Sequence, residues 1–356
     1  MRIGIDARLW NESGVGRYIR NLVHELAKID RKNEYALFVL EKDKEGILKQ
    51  VQNDKFRIAK ADIHWHTIEE QLKFPQILNK ENIDLMHFPY FSVPLFYNKP
   101  FVVTIHDLIL HHFPTGRAST LPLPAYWLKL FVYRFILKKS AQKARRILTV
   151  SYATKDEIVK HLHVSQDKII VTYEGVDTKS TNTKYQIPNT KYFLYVGNAY
   201  PHKNLERLIE ASTRIKLILV GREDYFYKRL KEKVKKMGLE KQIVFYGYAT
   251  DEELSFLYKN AEALIMPSLM EGFGLPVLEA MANKCLVLAS DIPAHREIAG
   301  DAVSYFNPLD VRDIEKKMQN IHPDDKVQKG FDRAKMFSWE RMAKETLSIY
   351  ESCVSV

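Results

Sequence analysis

Glu271 and Glu279 are separated by seven residues inside MPSLMEGFGLPVLEAMANKCLVLAS, Met266 to Ser290, a stretch that reads as strand, tight loop, helix, strand. Carboxylates so placed bind hydroxyls or cations, or move protons. Glu271 falls in the loop before the helix and Glu279 more than one turn into it, so the two cannot share one proton. They would touch different parts of one ligand. Gly272 and Gly274 let the backbone turn tightly and approach that ligand, and Pro276 is tolerated because the first helical turn needs no N–H. The free N–H groups of Phe273, Gly274 and Leu275, with the positive end of the helix dipole, form an anion and hydroxyl site suited to a sugar diphosphate. An elongated donor, with a sugar at one end and a ribose in the middle, fits the spacing of the acids better than a metal does. The competing reading is a helix cap with a solvated glutamate. Two acids, two glycines and a proline in one frame weigh against it.

Other residues belong to the same kind of chemistry. Lys203 sits in YVGNAYPHKNLERLIEA, in a Gly-initiated turn before a helix, where a point charge stabilises a departing diphosphate. Read alone, it is better taken as a solvated loop lysine. His106 and Asp107 end the strand VVTIHDLI, and in open parallel sheets the carboxyl ends of strands face the ligand. Gly14 and Gly16 in NESGVGRYIRNL precede or open a helix, a weak signal by itself because ordinary turns use such pairs.

These residues need a scaffold of strands and helices, and the whole chain alternates between the two. Short apolar runs are expected as strands at 3–6, 35–40, 56–59, 85–88, 101–106, 147–150 and 169–172. A second set comes at 192–196, 216–220, 243–246, 263–266, 286–289 and 303–306. Helix-period segments fall between them, such as the stripe Ile19, Leu22, Val23, Leu26, Ile29. The pattern is that of an α/β protein with two Rossmann-like domains, here 1–177 and 178–336. The polar segment Asp177 to Thr190 supplies the linker, and the amphipathic helix 337–356 is expected to pack back on the first domain. Two such domains leave a cleft at the carboxyl ends of their strands.

A chain of 356 residues with 46% apolar content can bury two cores. No run of about 18 apolar residues and no leader-like start appears, which points to a cytoplasmic protein. Cys285 and Cys353 have neither disulfide nor metal-ligand spacing. The formal charge of +10 favours an anionic partner, and its densest part runs from Arg117 to Arg146, with eight basic residues, no acidic one, and interleaved aromatics. That stretch reads as an amphipathic helix suited to an anionic membrane or a lipid-diphosphate acceptor. A single-stranded nucleic-acid platform uses similar residues, but no nucleic-acid motif accompanies them. A dinucleotide dehydrogenase is disfavoured because no strand leads into a full Gly-x-Gly-x-x-Gly turn.

EGFGLPVLE resembles the Glu-x7-Glu motif of the retaining glycosyltransferases of family 4, which have the GT-B fold of two facing Rossmann-like domains, and the resemblance spans nearly the whole chain. It implies that Glu271 contacts the donor sugar near the reacting centre, that Glu279 holds the ribose, and that the backbone of Gly272, Phe273, Gly274 and Leu275 meets sugar and phosphate. It further implies that Lys203 binds the pyrophosphate, Gly14 and Gly16 close over the diphosphate, His106 lies near the sugar, and the backbone at Gly247 and Tyr248 receives the nucleobase. Many relatives carry an arginine where this chain has Asn198, so Arg8 or Arg17 is expected to compensate for the missing charge. The GVGRYIRNL and Ser290 to Pro308 segments resemble mannosyl- and rhamnosyl-transferring relatives, which favours GDP-mannose over UDP- or TDP-sugars. The acceptor is then a glycan or a lipid-linked one. No cofactor beyond the nucleotide sugar is expected, and no Asp-x-Asp motif is placed for a donor-bound metal.

Overall fold

A computed structural model of the chain describes residues 1–51, 54–114, 122–176, 191–322 and 325–354. The chain divides into two compact units. One comprises Met1–His111, Leu121–Gly175 and Ser338–Val356; the other is built mainly from Val176–Phe337. The linker expected at Asp177 to Thr190 lies outside the described residues.

In the first unit seven parallel strands form one sheet in the order β3-β2-β1-β4-β5-β6-β7. They are β1 (Arg2–Asp6), β2 (Glu34–Val39), β3 (Phe56–Lys60), β4 (Leu85–Phe88), β5 (Phe101–Ile105), β6 (Arg146–Thr149) and β7 (Ile169–Val171). Ile3 of β1 pairs with Tyr35 on one side and Leu85 on the other. Helices cover both faces of such a sheet, so its central strands are apolar at every position rather than alternating; all of Phe101–Ile105 is buried. Phe38, Phe74, Phe88, Val103, Leu137 and Ile158 belong to one core. The Gly14–Ile29 helix buries Tyr18, Ile19, Leu22, Val23 and Leu26, and the last helix, Trp339–Val354, packs on it. That last helix is also tied to the sheet through His87 of β4, whose ring bonds the Tyr350 hydroxyl at 2.5 Å and the Thr104 hydroxyl at 2.8 Å.

The second unit repeats the plan with six parallel strands in the order β10-β9-β8-β11-β12-β13. These are β8 (Phe193–Val196), β9 (Leu217–Val220), β10 (Ile243–Gly247), β11 (Ala263–Met266), β12 (Val287–Ser290) and β13 (Ser304–Phe306). Its helices start on side-chain caps where the sequence provides them: Thr250 and Glu253 form a capping box for Asp251–Asn260, and Asp224 caps Tyr225–Lys236. In each sheet the order runs outward in both directions from a pair of central strands, β1 and β4 in one and β8 and β11 in the other. That reversal opens a crevice at the strands' carboxyl ends.

The basic stretch forms a helix over Leu123–Lys143, with Arg117 outside the described residues. It is not amphipathic as expected. Tyr126, Leu130, Leu137 and Ala141 are buried, while Trp127, Leu128, Phe131, Val132 and Phe135 are exposed. The helix is therefore apolar toward the core and apolar toward solvent. Among the described residues no helix is long and apolar enough to cross a membrane.

Candidate active site

In the second unit the chain leaves β8 at Val196 and β11 at Met266, the two strands that flank the reversal. The loops beyond them are stitched together. Leu269 donates its N–H to the His202 carbonyl at 2.7 Å. The Asn204 side-chain amide donates to the carbonyls of Pro267 at 3.0 Å and Pro308 at 2.7 Å. Asn204 also adopts a left-handed φ of 60°, closing the Pro201–Lys203 turn and starting the Leu205–Ala211 helix. This brings Lys203 to a residue 68 positions away: its ammonium donates to both Glu271 carboxylate oxygens, at 2.7 and 2.9 Å. Ser268 donates its hydroxyl to the same carboxylate at 2.6 Å.

Both members of the pair are nearly out of solvent, with side chains 13% and 9% exposed. Burial, the largest single influence, would raise the Glu271 carboxyl, but the Lys203 ammonium and its hydrogen bond, together with the neighbouring His295 and His202, outweigh it and hold the group down at about 2. Burial, and then the same ammonium, push His202 down to about 4. Burial also lowers His295, whose Nδ1 donates to the Ser290 carbonyl at 3.0 Å. At neutral pH the centre is a carboxylate and an ammonium flanked by two uncharged imidazoles.

The Gly272–Leu275 turn lies directly beyond Glu271. Gly274 caps the Leu275–Ala282 helix with φ 97°, a left-handed conformation that favours glycine. A Cβ there would also come within 3.3 Å of the His295 ring. Phe273 anchors the turn by packing edge-on against Phe337, with ring centroids 5.9 Å apart. Four residues into the helix, Glu279 is buried and accepts a hydrogen bond from the Tyr258 hydroxyl at 3.0 Å. The two acids thus hold separate partners, as their spacing requires. Elsewhere on the same edge, Gly247 ends β10 at φ 89° and Tyr248 is 68% exposed, with the Arg222 guanidinium 5.7 Å from its ring centroid. Asn198 shapes its own loop, its side-chain oxygen accepting the Tyr200 N–H at 3.3 Å and its carbonyl the Tyr195 hydroxyl at 2.6 Å.

In the first unit, Gly14 and Gly16 lie in the first turn of their helix rather than in a loop ahead of it. They differ in kind. Gly16 is pressed on the preceding backbone, where a Cβ would sit 2.5 Å from the Trp10 carbonyl oxygen, whereas a Cβ on Gly14 meets nothing within 4 Å. His106 comes directly after β5, with its ring edge-to-face against Tyr18 at 4.9 Å. Arg8 is not available to compensate for Asn198. It is 2% exposed, donates to Asp6 at 2.8 and 2.7 Å, to Glu70 at 2.7 Å and to the Ile63 carbonyl at 3.0 Å, and lies over the Phe74 ring. Two carboxylates already neutralise it inside the fold.

Sequence reasoning passed over Ser268, Asn204, His202 and His295. The first three adjoin the motifs and could have been weighed as polar groups next to a chemical one. Nothing in the periodicity around His295 marks it, because only the packing of β12 and its following helix against the Gly274 turn buries it.

Residues 177–335 match the family described as "Glycosyl transferases group 1", and residues 13–180 match "Glycosyltransferase Family 4". The chain is 32% identical over 262 residues to the O-antigen chain mannosyltransferase RfbU of Salmonella typhimurium, covering 72% of this chain and 70% of that protein. To the O-antigen chain mannosyltransferase B of Escherichia coli it is 29% identical over 95% of this chain and 96% of that one. Among solved structures, sucrose-phosphate synthase from Thermosynechococcus elongatus superposes with a TM-score of 0.79 at 18% identity, over 100% of this chain and 99% of its own.

Proposed function

The chain belongs to glycosyltransferase family 4 and is a retaining hexosyltransferase with a GT-B fold, and from that premise we propose that the hexose is mannose, donated by GDP-mannose to a glycan or lipid-diphosphate-linked acceptor. The observation that carries this reading is the buried Lys203–Glu271 pair beside the Gly274 helix N-terminus. Transfer requires charge to be stabilised on a departing diphosphate while hydroxyls of the sugar are held. Lys203 and the first-turn N–H groups of the helix supply the first requirement; Glu271, kept ionised, supplies the second. Glu279 and its Tyr258 partner hold the ribose, Gly247 and Tyr248 receive the nucleobase, and His106 binds a sugar hydroxyl. Gly14 and Gly16 lie along the diphosphate. Two of the relatives named above are mannosyltransferases, which supports mannose.

Retention by front-face attack, with the leaving phosphate taking the acceptor proton, fits a Glu271 engaged by Lys203 and Ser268 better than a double displacement with that carboxylate as nucleophile. Turnover is expected to persist in chelator, since Lys203 supplies the positive charge. The decisive experiment is a thermal-shift panel of GDP, UDP, TDP and ADP with their sugars, followed by assay of mannose transfer. A ligand bound only by the native state at a hundred times its dissociation constant stabilises by about 2.7 kcal/mol. GDP and GDP-mannose should raise the melting temperature. A response to UDP alone would overturn the donor assignment.

The acceptor side of the proposal is an anionic lipid surface. The solvent face of the Leu123–Lys143 helix is continued by Phe96 and by Ile68 and Leu72 of the Ile68–Lys80 helix, all exposed. Lys143 donates to the Leu95 carbonyl at 2.7 Å, and Leu95 donates its N–H to Gln71 at 2.9 Å, which joins the three segments. Lys138 and Lys139 prolong the same helix face. Each basic group close to an anionic surface contributes about 1 kcal/mol, and the aromatic rings insert at the interface. Vesicles of phosphatidylcholine with phosphatidylglycerol should bind the protein in a salt-sensitive way, and K138E/K139E should weaken that binding. Equal binding to pure phosphatidylcholine would remove the electrostatic part of the idea.

A further inference from the structure

Gly221 follows β9 and Gly247 ends β10, neighbouring strands on one side of the second sheet. Their pairing slips by one residue between Phe245 and Gly247, a bulge of the kind that bends a strand and re-aims the side chain beyond it. Gly247 completes the bend with its left-handed φ of 89°. The Gly221 N–H donates to the Gly247 carbonyl at 2.9 Å, which brings the next residues of the two loops, Arg222 and Tyr248, together. Gly221 is locked in place. The Gly197 carbonyl oxygen and the Tyr227 hydroxyl, themselves bonded at 2.7 Å, fill the space that a side chain would need there. Just beyond Arg222, Asp224 caps the Tyr225–Lys236 helix by accepting the N–H groups of Phe226 and Tyr227, each at 2.9 Å. The backbone of Arg222 is thus held between a close-packed glycine and a helix cap. Its guanidinium lies 5.7 Å from the centroid of the Tyr248 ring, whereas Arg8 stands in stacking contact with Phe74 at 3.8 Å. At the longer distance Arg222 is not stacked on Tyr248, whose residue is 68% exposed and keeps a ring face for a flat ligand. Beside that face stands a planar fork of N–H donors with no acceptor.

We propose that Arg222 selects the nucleobase: with the base lying on Tyr248, two N–H groups of the guanidinium meet two adjacent acceptors on the base edge, the O6 and N7 of guanine. The proposal rests on the placing of the nucleobase at Gly247 and Tyr248 made above, and it adds the residue that chooses among bases. Stacking alone is indifferent, since every base has a π-face. The edge makes the choice. Adenine carries an amino group where guanine has O6, so that donor would oppose donor. Uracil brings a single acceptor, O4, and a smaller face. A bidentate pair of this kind discriminates by roughly 5- to 150-fold.

Calorimetric titration of the full-length protein with GDP, ADP, UDP and 7-deaza-GDP, which has a carbon in place of N7, tests it. The wild type should bind GDP at least about fivefold more tightly than ADP or 7-deaza-GDP. Arg222→Ala, a change at an exposed loop position, should keep the melting temperature, lose GDP affinity by on the order of tenfold, and bind GDP, 7-deaza-GDP and ADP about equally. Tyr248→Ala should weaken GDP and ADP by the same factor. A GDP-over-ADP preference that survives Arg222→Ala, or 7-deaza-GDP bound by the wild type as tightly as GDP, overturns the proposal and leaves GDP-mannose standing as the donor. A preference lost in Tyr248→Ala but kept in Arg222→Ala moves the choice to the ring and overturns it as well. A wild type that prefers UDP overturns the proposal and the donor assignment together.

Discussion

Lys203 and Glu271 hold each other where neither could be left alone. An unpaired carboxylate at that depth keeps the desolvation cost and loses its counter-charge, so Lys203→Met should lower the unfolding free energy by roughly 3 kcal/mol, measured by denaturant titration. It should weaken nucleotide-diphosphate binding as well. The sign of the pH effect is set by Glu271 being held at about 2 against an ordinary value of 4.5. A depressed carboxyl contributes its stability in full above the ordinary value, and that contribution disappears as pH falls toward the folded value. Wild-type stability should therefore drop between pH 4.5 and pH 2, and Glu271→Gln should flatten that part of the curve. The same substitution should abolish transfer at neutral pH with the far-ultraviolet circular dichroism unchanged. Retained turnover would reassign Glu271.

Among the elements, the glycines separate packing from function. Gly16 meets main-chain atoms that cannot move aside, so Gly16→Ala should destabilise the first unit by more than about 1 kcal/mol, the scale of an overpacked core site. Gly14 stands in open space at the helix start, where alanine is tolerated and even favoured by up to about 1 kcal/mol. If Gly14 lies along the diphosphate, Gly14→Ala should keep or raise the melting temperature and still raise the donor KM. An unchanged KM would remove Gly14 from the donor site. Gly274→Ala should do both kinds of damage, since its φ of 97° strains any side chain and the new methyl meets His295. These outcomes were only half legible in the sequence. The Gly274 turn was readable as a helix start with Pro276 behind it, but Gly14 and Gly16 looked alike until the Leu9–Trp10 backbone was placed against one of them.

For the whole chain, the last helix is the informative element. Trp339–Val354 comes after the second unit in sequence yet belongs to the first, where it covers the Gly14–Ile29 helix and closes the His87 network through Tyr350. Removing residues 338–356 should bare the flank of that helix and give a protein that loses its cooperative melting transition, checked by calorimetry. Tyr350→Phe should cost only about 1–3 kcal/mol, the penalty of leaving a buried ring nitrogen without its partner. A truncated chain that melts as cooperatively as the full one would show that the first unit is complete without its last helix.

The amino-acid order by itself determined the thirteen strands seen among the described residues, the two-sheet plan, the strand–loop–helix around Glu271 and the family, because these depend on period, turn residues and contiguous motifs. Tertiary structure alone decided which polar group meets which. Strand order put the β8 and β11 loops side by side and so joined Lys203 to Glu271 across 68 residues. The fold also set Glu70 on Arg8 beside its near neighbour Asp6, and Glu174 against His106. The stretch read as amphipathic became a helix apolar on two sides, because the core needed only one of them. The three pairings share one physical reason. Local pattern encodes how far a side chain is buried, whereas a partner brought from a distant strand depends on sheet order, to which no nearby residue bears witness.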